Sequence, residues 1–230
     1  MNPTIHRHKG IARTVGILYV IGTIAGVLSV QFLKIRNEPD YLAQIDKHPY
    51  SLVIGAILTL IMGFALALIP VFLFPVLKNH SETAGVGYIV FRGGLETCSY
   101  MISSVCYLAL TSLGAAYAAG VQDVAQLYGA GAVLNAIADS SVTAFVFGMG
   151  ALIFYSALVR FRLVPWWISV FGLVAVVLHI LSGVLVLLGM QENFDTGSMI
   201  MNLPIAVQEM VLAVWLILWG FTERRVEECK

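Results

Sequence analysis

Long runs of apolar residues constrain this sequence more than any other feature. Each run holds about twenty residues or more and contains few charged side chains. An α-helix rises 1.5 Å per residue, so about twenty residues cross a hydrocarbon core that is about 30 Å thick. Only 11% of the residues are charged, whereas about a quarter are charged in a typical soluble domain. The chain is therefore predicted to be an integral membrane protein.

The apolar runs predict an all-α membrane bundle of about six transmembrane helices in one transmembrane domain, residues 1–230. The first run follows basic residues, but it is too long for a secretory signal and no cleavage site follows it. The three cysteines are odd in number and imply no disulfide framework. The predicted spans are 11–33, 51–77, 84–110, 130–158, 164–190 and 199–221.

The basic residues predict the orientation of the bundle, because Lys and Arg next to spans are retained in the cytoplasm. With the amino terminus inside, nine of them fall on the cytoplasmic side and three outside. Both termini are thus predicted to be cytoplasmic, and the cell (inner) membrane is the expected location. The inner set is Arg7, Lys9, Arg13, Lys78, Arg160, Arg162, Arg224, Arg225 and Lys230; the outer set is Lys34, Arg36 and Lys47.

Ionisable side chains inside the spans are the candidates for function, because each costs about 2.5–3.5 kcal/mol at a helix centre. There are five: Arg92 and Glu96 in the third span, Asp139 in the fourth, His179 in the fifth and Glu209 in the sixth. They are expected to face one another. An unpaired Arg would be costly there, so Arg92 is predicted to pair with Glu96, one helical turn away, and with Glu209.

Polar neighbours at helical spacing extend this cluster into stripes. Arg92, Glu96, Ser99, Ser103 and Tyr107 would share one face of the third helix. Asn135, Asp139 and Thr143 would do so on the fourth helix, and Asn202 and Glu209 on the sixth. The predicted polar core is Arg92, Glu96, Asn135, Asp139, His179, Asn202 and Glu209.

The sequence contains no signature of known chemistry. It has no nucleophile elbow, phosphate-binding loop, dinucleotide fingerprint or zinc-protease helix. One intramembrane His with carboxylates on other helices lacks the closely spaced ligand pair of many metal sites, so no metal is predicted. No catalytic residue and no cofactor is indicated, and an enzyme is the less favoured class.

Three stretches resemble a family of bacterial multi-pass membrane proteins described as domain of unknown function 4386. They are Gly16–Gly26 in the first span, Arg92–Glu96 in the third, and Asn202–Glu209 continuing to Trp215–Phe221 in the sixth. The resemblance covers nearly the whole chain. It implies a bacterial membrane protein and no chemistry.

Three functions agree with these observations. The favoured one is binding or transport of a small solute, ion or proton through the polar cluster, since His179 can exchange protons near neutral pH. The alternatives are a membrane-embedded enzyme acting on a lipid or apolar substrate, with a carboxylate as base, and an accessory protein that packs against others. The cluster could equally be a structural network that fixes helix pairing. The expected partner is the lipid bilayer, with no nucleic acid; the oligomeric state is open.

Overall fold

The structure, a computed structural model, describes residues 3–121, 123–192 and 195–222. These residues form helices and no β-strand. Six helical stretches are long and apolar enough to cross a membrane, which confirms the predicted all-helical bundle of six spans.

The orientation of the bundle stays a prediction. Three residues of the predicted cytoplasmic set, Arg224, Arg225 and Lys230, lie outside the described residues.

Three of the six spans are single helices, and three are composite. A 3₁₀ helix, Lys34–Asn37, continues the first span; a π-helix, Ile89–Leu95, joins α4 to α5 in the third; α6 and α7 make up the fourth. The helices are α1 Pro3–Leu33, α2 Tyr41–Lys47, α3 Ser51–Lys78, α4 Glu82–Tyr88, α5 Glu96–Ala118, α6 Val124–Ala138, α7 Val142–Phe161, α8 Trp166–Leu187 and α9 Thr196–Leu218.

The spans pack as a ring. Helix α1 contacts α3 and α9; α3 contacts α5; the π-helix contacts α7; and α8 lies between α7 and α9. In lipid every backbone polar group must bond within its own helix, so each apolar run forms a helix and side chains decide the neighbours. The ring brings the inward faces of the third, fourth, fifth and sixth spans toward one interior.

The fourth span departs from the sequence prediction. Asn135, Asp139 and Thr143 were expected on one continuous helix, but α6 ends at Ala138 and α7 begins at Val142. Asp139 is the residue that terminates α6. The break lies at a Ser-Ser pair, whose hydroxyls compete for backbone hydrogen bonds, and Ser140 Oγ accepts one from the Val142 amide at 3.3 Å.

The long connection after the first span contains the short helix α2. Its apolar side chains are buried against the rest of the bundle, because Ile45 lies over Gly114 of α5 and Tyr41 over Gly131 of α6. This helix covers one end of the bundle.

Glycines permit close contact between several helices. Gly22 and Gly26 of α1, four residues apart, face Leu66 and Met62 of α3 and form a packing face. On α8, Gly172 lies under the ring of Tyr155, and a Cβ there would come within 2.4 Å of Tyr155 Cδ1.

We predict that Gly172→Ala lowers the free energy of unfolding by about 1–3 kcal/mol, because the new methyl group must displace the buried Tyr155 ring. The measurement is reversible unfolding of the purified protein in detergent. Gly129→Ala on α6 is the control, since nothing lies within 4 Å of its added methyl group. Equal stability of the two variants would contradict the packing argument.

Candidate functional site

An ion-pair cluster around Arg92 lies in the interior of the bundle. Arg92 Nη1 donates to both carboxylate oxygens of Glu96 at 3.1 Å, and Nη2 donates to Glu209 Oε1 at 2.8 Å. The Tyr100 hydroxyl donates to Glu96 Oε1 at 2.9 Å. The predicted pairing of Arg92 with Glu96 and Glu209 is therefore confirmed, and it links the third span to the sixth.

Burial of this cluster is unequal. Arg92 and Glu96 are 2% and 0% exposed, whereas the Glu209 side chain is 16% exposed. The guanidinium also faces the ring of Phe147, with its Cζ 4.7 Å from the centroid. Two carboxylates share one guanidinium, so the cluster carries one net negative charge when both are ionised. Glu209 is the member that remains accessible.

A second ion pair joins the first span to the fourth. Arg36 Nη2 donates to Asp139 Oδ1 at 2.6 Å, and its Nη1 donates to Asp139 Oδ2 at 2.8 Å and to Asn135 Oδ1 at 2.9 Å. Asp139 was expected to face the other intramembrane charges directly; its ion-pair partner is instead Arg36, which was assigned to an outer loop. The reason is the break after α6, which turns Asp139 toward the end of the first span.

The fifth and sixth spans contribute a neutral polar pair. His179 Nδ1 lies 2.7 Å from Asn202 Oδ1. An amide oxygen can only accept, so Nδ1 carries the proton and Nε2 has a free lone pair. Nε2 is buried and has no hydrogen-bond partner among the described residues. His179 therefore retains an unused acceptor.

A cavity of about 400 Å³ connects these groups. The residues that line this central cavity include polar side chains from all six spans, and the Asp139–Ser141 break forms part of its wall. The polar residues at its surface are Ser29, Thr59, Tyr100, Ser103, Tyr107, Asp139, Ser140, Ser141, Thr143, His179, Asn202 and Glu209.

A smaller cavity of about 220 Å³ lies on the α1 side of the Arg92 cluster. This α1 recess is lined by Arg92 together with Gly22, Thr23, Gly26 and Val27 of α1. It shares Met62, Tyr100, Phe147 and Glu209 with the central cavity. Glu209 thus borders both spaces.

The sequence analysis missed some polar contacts of the interior. Tyr100, rather than Ser99, joins the Arg92 cluster, and Ser99 donates to Leu95 O on its own helix. Gln208, beside Glu209 in sequence, is fully buried; it accepts from the Tyr155 hydroxyl and donates to Ile168 O at 3.2 Å. A Gln inside an apolar span, next to an intramembrane Glu, was the available signal.

No group of three or more His, Cys, Asp or Glu side chains within the described part of the chain could hold a metal ion. The assignment of Arg92, Glu96, Asn135, Asp139, His179, Asn202 and Glu209 as binding residues stays a prediction. The geometry brings Arg92, Glu96 and Glu209 into one cluster, and Asp139, His179, Asn202 and Glu209 onto one cavity.

Comparison with known proteins gives one family match. The model of the family described as "Domain of unknown function (DUF4386)" matches residues 14–220. No curated protein and no solved structure matches the chain.

We predict that Arg92→Ala lowers the free energy of unfolding by about 3–5 kcal/mol, because it leaves two carboxylates without their buried cation. The double variant Arg92→Ala/Glu96→Gln should be more stable than Arg92→Ala, since it also removes the most buried of the unpaired charges. Reversible unfolding in detergent measures both.

Lys78→Ala is the control for this pair of variants. Lys78 and Glu82 are also four residues apart, at 3.4 Å, but both are exposed, so the expected change is below about 0.5 kcal/mol. If Arg92→Ala cost no more than Lys78→Ala, the Arg92 cluster would not stabilise the bundle.

Proposed function

We propose that this chain, which belongs to the DUF4386 family, binds a small organic cation with N–H donors in its central cavity and transports it. The family's description assigns no activity. The proposal is based instead on one observation: Glu209, a partly exposed carboxylate that shares Arg92 with a second carboxylate, borders a polar cavity within the predicted spans.

Glu209 provides the anionic end of the proposed binding site. Its Oε1 is held by Arg92, and its Oε2 has no hydrogen-bond partner among the described residues. Arg36 and Asp139 balance each other one to one, so the surplus negative charge belongs to the Arg92 cluster. An ion of positive charge at Glu209 would neutralise that surplus, and the low dielectric of the interior strengthens the attraction.

His179 provides a second acceptor on the same cavity. Its Nε2 lone pair has no partner in the described part of the chain, and the Nδ1 bond to Asn202 fixes the ring. A buried acceptor without a donor is costly, and a ligand N–H group would satisfy it. Two acceptors and a net negative charge favour an ammonium or guanidinium group over a carboxylate or a sugar.

Transport, as opposed to binding alone, is supported by the break in the fourth span. Transporter sites are often built where a membrane helix is interrupted, because the unwound backbone is tolerated only where it lines a cavity or is covered by protein. Asp139, Ser140 and Ser141 form such an interruption and line the central cavity.

We predict that guanidinium and propylammonium, at millimolar concentration, raise the melting temperature of the purified protein by several degrees, whereas propionate at equal ionic strength does not. A ligand at about 100 times its Kd adds about 2.7 kcal/mol of stability. Radiolabelled guanidinium, which crosses lipid poorly, should also enter proteoliposomes that contain the protein.

Glu209→Gln should abolish both effects and leave the ligand-free protein folded, because Arg92 keeps Glu96 as its partner. The matched control is Glu82→Gln, an identical substitution at an exposed carboxylate, which should change neither effect. Stabilisation that persisted in Glu209→Gln, or an absence of response to both cations in the wild type, would refute the proposal.

A further inference from the structure

Helices α1 and α9 are in close contact at one end and separate toward the other. A Cβ on Gly16 of α1 would lie 2.7 Å from Ala213 O of α9, so the two backbones nearly touch there. Further along α1, the side chains of Val27 and Val30 are 62% and 50% exposed, yet Val27 lines the α1 recess and Val30 the central cavity. Residues that face both lipid and cavity mark a seam between these helices.

An apolar groove of about 660 Å³ runs along the outside of α9 at this seam. This α9 groove shares Thr23 with the α1 recess and Ala206 with the central cavity. Ala206 precedes Glu209 by three residues, so the two are neighbours on one face of the helix. The groove therefore ends one helical turn from the carboxylate that anchors the proposed ligand.

We propose that the cation taken by this protein is an amphiphile with a single alkyl chain and a primary ammonium head, and that it enters from the lipid through the seam between α1 and α9. The proposal rests on the function proposed above. The ammonium reaches Glu209, and the alkyl chain lies in the α9 groove.

Charge and chemistry select this occupant. The groove is lined mainly by apolar and aromatic side chains, among them Val207, Val214, Trp215 and Trp219, which suit an alkyl chain, and by no charged residue. Glu209 lies one helical turn from its inner end, and this carboxylate favours a cationic head group. An anionic lipid tail or a fatty acid would instead bring a carboxylate against a cluster that is already negative.

The test uses the tryptophans of the groove as reporters. Three of the four tryptophans in the chain, Trp167, Trp215 and Trp219, line it, and bromine quenches tryptophan fluorescence on contact. The full chain in a non-ionic detergent is titrated with 12-bromododecylamine and with 12-bromododecanoate, which carry the same chain and opposite charges. The amine should bind at least about tenfold more tightly, and Glu209→Gln should reduce this preference to about twofold or less.

Two pairs of valines test the route. Val207→Phe/Val214→Phe fills the groove and should raise the Kd of the bromoamine by about tenfold while leaving guanidinium binding within about twofold. The control, Val105→Phe/Val133→Phe, adds the same bulk at two lipid-exposed positions that do not line the groove and should change neither.

Each remaining outcome is decisive. Equal binding of bromoamine and bromocarboxylate, or no effect of filling the groove, would overturn the inference. If guanidinium still bound through Glu209 in that case, only the inference about the amphiphile would be rejected, and the proposed function would stand. If guanidinium also failed to bind, both would fall.

Discussion

The Arg92 guanidinium and its two carboxylates are the interaction on which the rest of the interior depends. Apolar side chains give little preference for one neighbouring helix over another in lipid, because the lipid is as apolar as they are. A buried charge pair does give such a preference, since only one arrangement satisfies it. Arg92 with Glu209 links the third span to the sixth, and Arg36 with Asp139 links the first to the fourth. These two links join spans that are distant in sequence and so select one closed ring.

The two ion-pair links differ in charge balance, which distinguishes a structural link from a candidate binding site. The Arg36 guanidinium bonds one carboxylate and one amide oxygen, and both lie at the last turn of α6, where a cation also interacts favourably with the helix dipole. The charges of Arg36 and Asp139 balance. Arg92 meets two carboxylates, of which Glu96 alone would be enough to neutralise it. The second, Glu209, is therefore not required for neutrality, and it is the one that borders both cavities.

The spans and the Arg92 cluster could be predicted from the sequence, whereas the other contacts between spans could not. Run length alone gives the spans, and the four-residue spacing gives Arg92 with Glu96. Glu209 could be predicted as a second partner of Arg92 because a buried cation needs acidic partners. The role of Arg36 was not predicted because this residue lies just past an apolar run, where it resembles a loop residue. The break at Asp139 was not predicted because no Pro or Gly lies there. The order of the helices depends on shape at positions such as Gly16 and Gly172, which composition does not reveal.

Helix α1 shows how these constraints together shape access to the site. It is fixed near one end by the contact of Gly16 with α9, and just beyond its other end by the bond of Arg36 to Asp139. Between these points its glycines pack against α3 rather than α9. The seam beside Glu209 therefore lies between these two anchor points, on the face of α1 that carries Val27 and Val30 and that its glycines leave free.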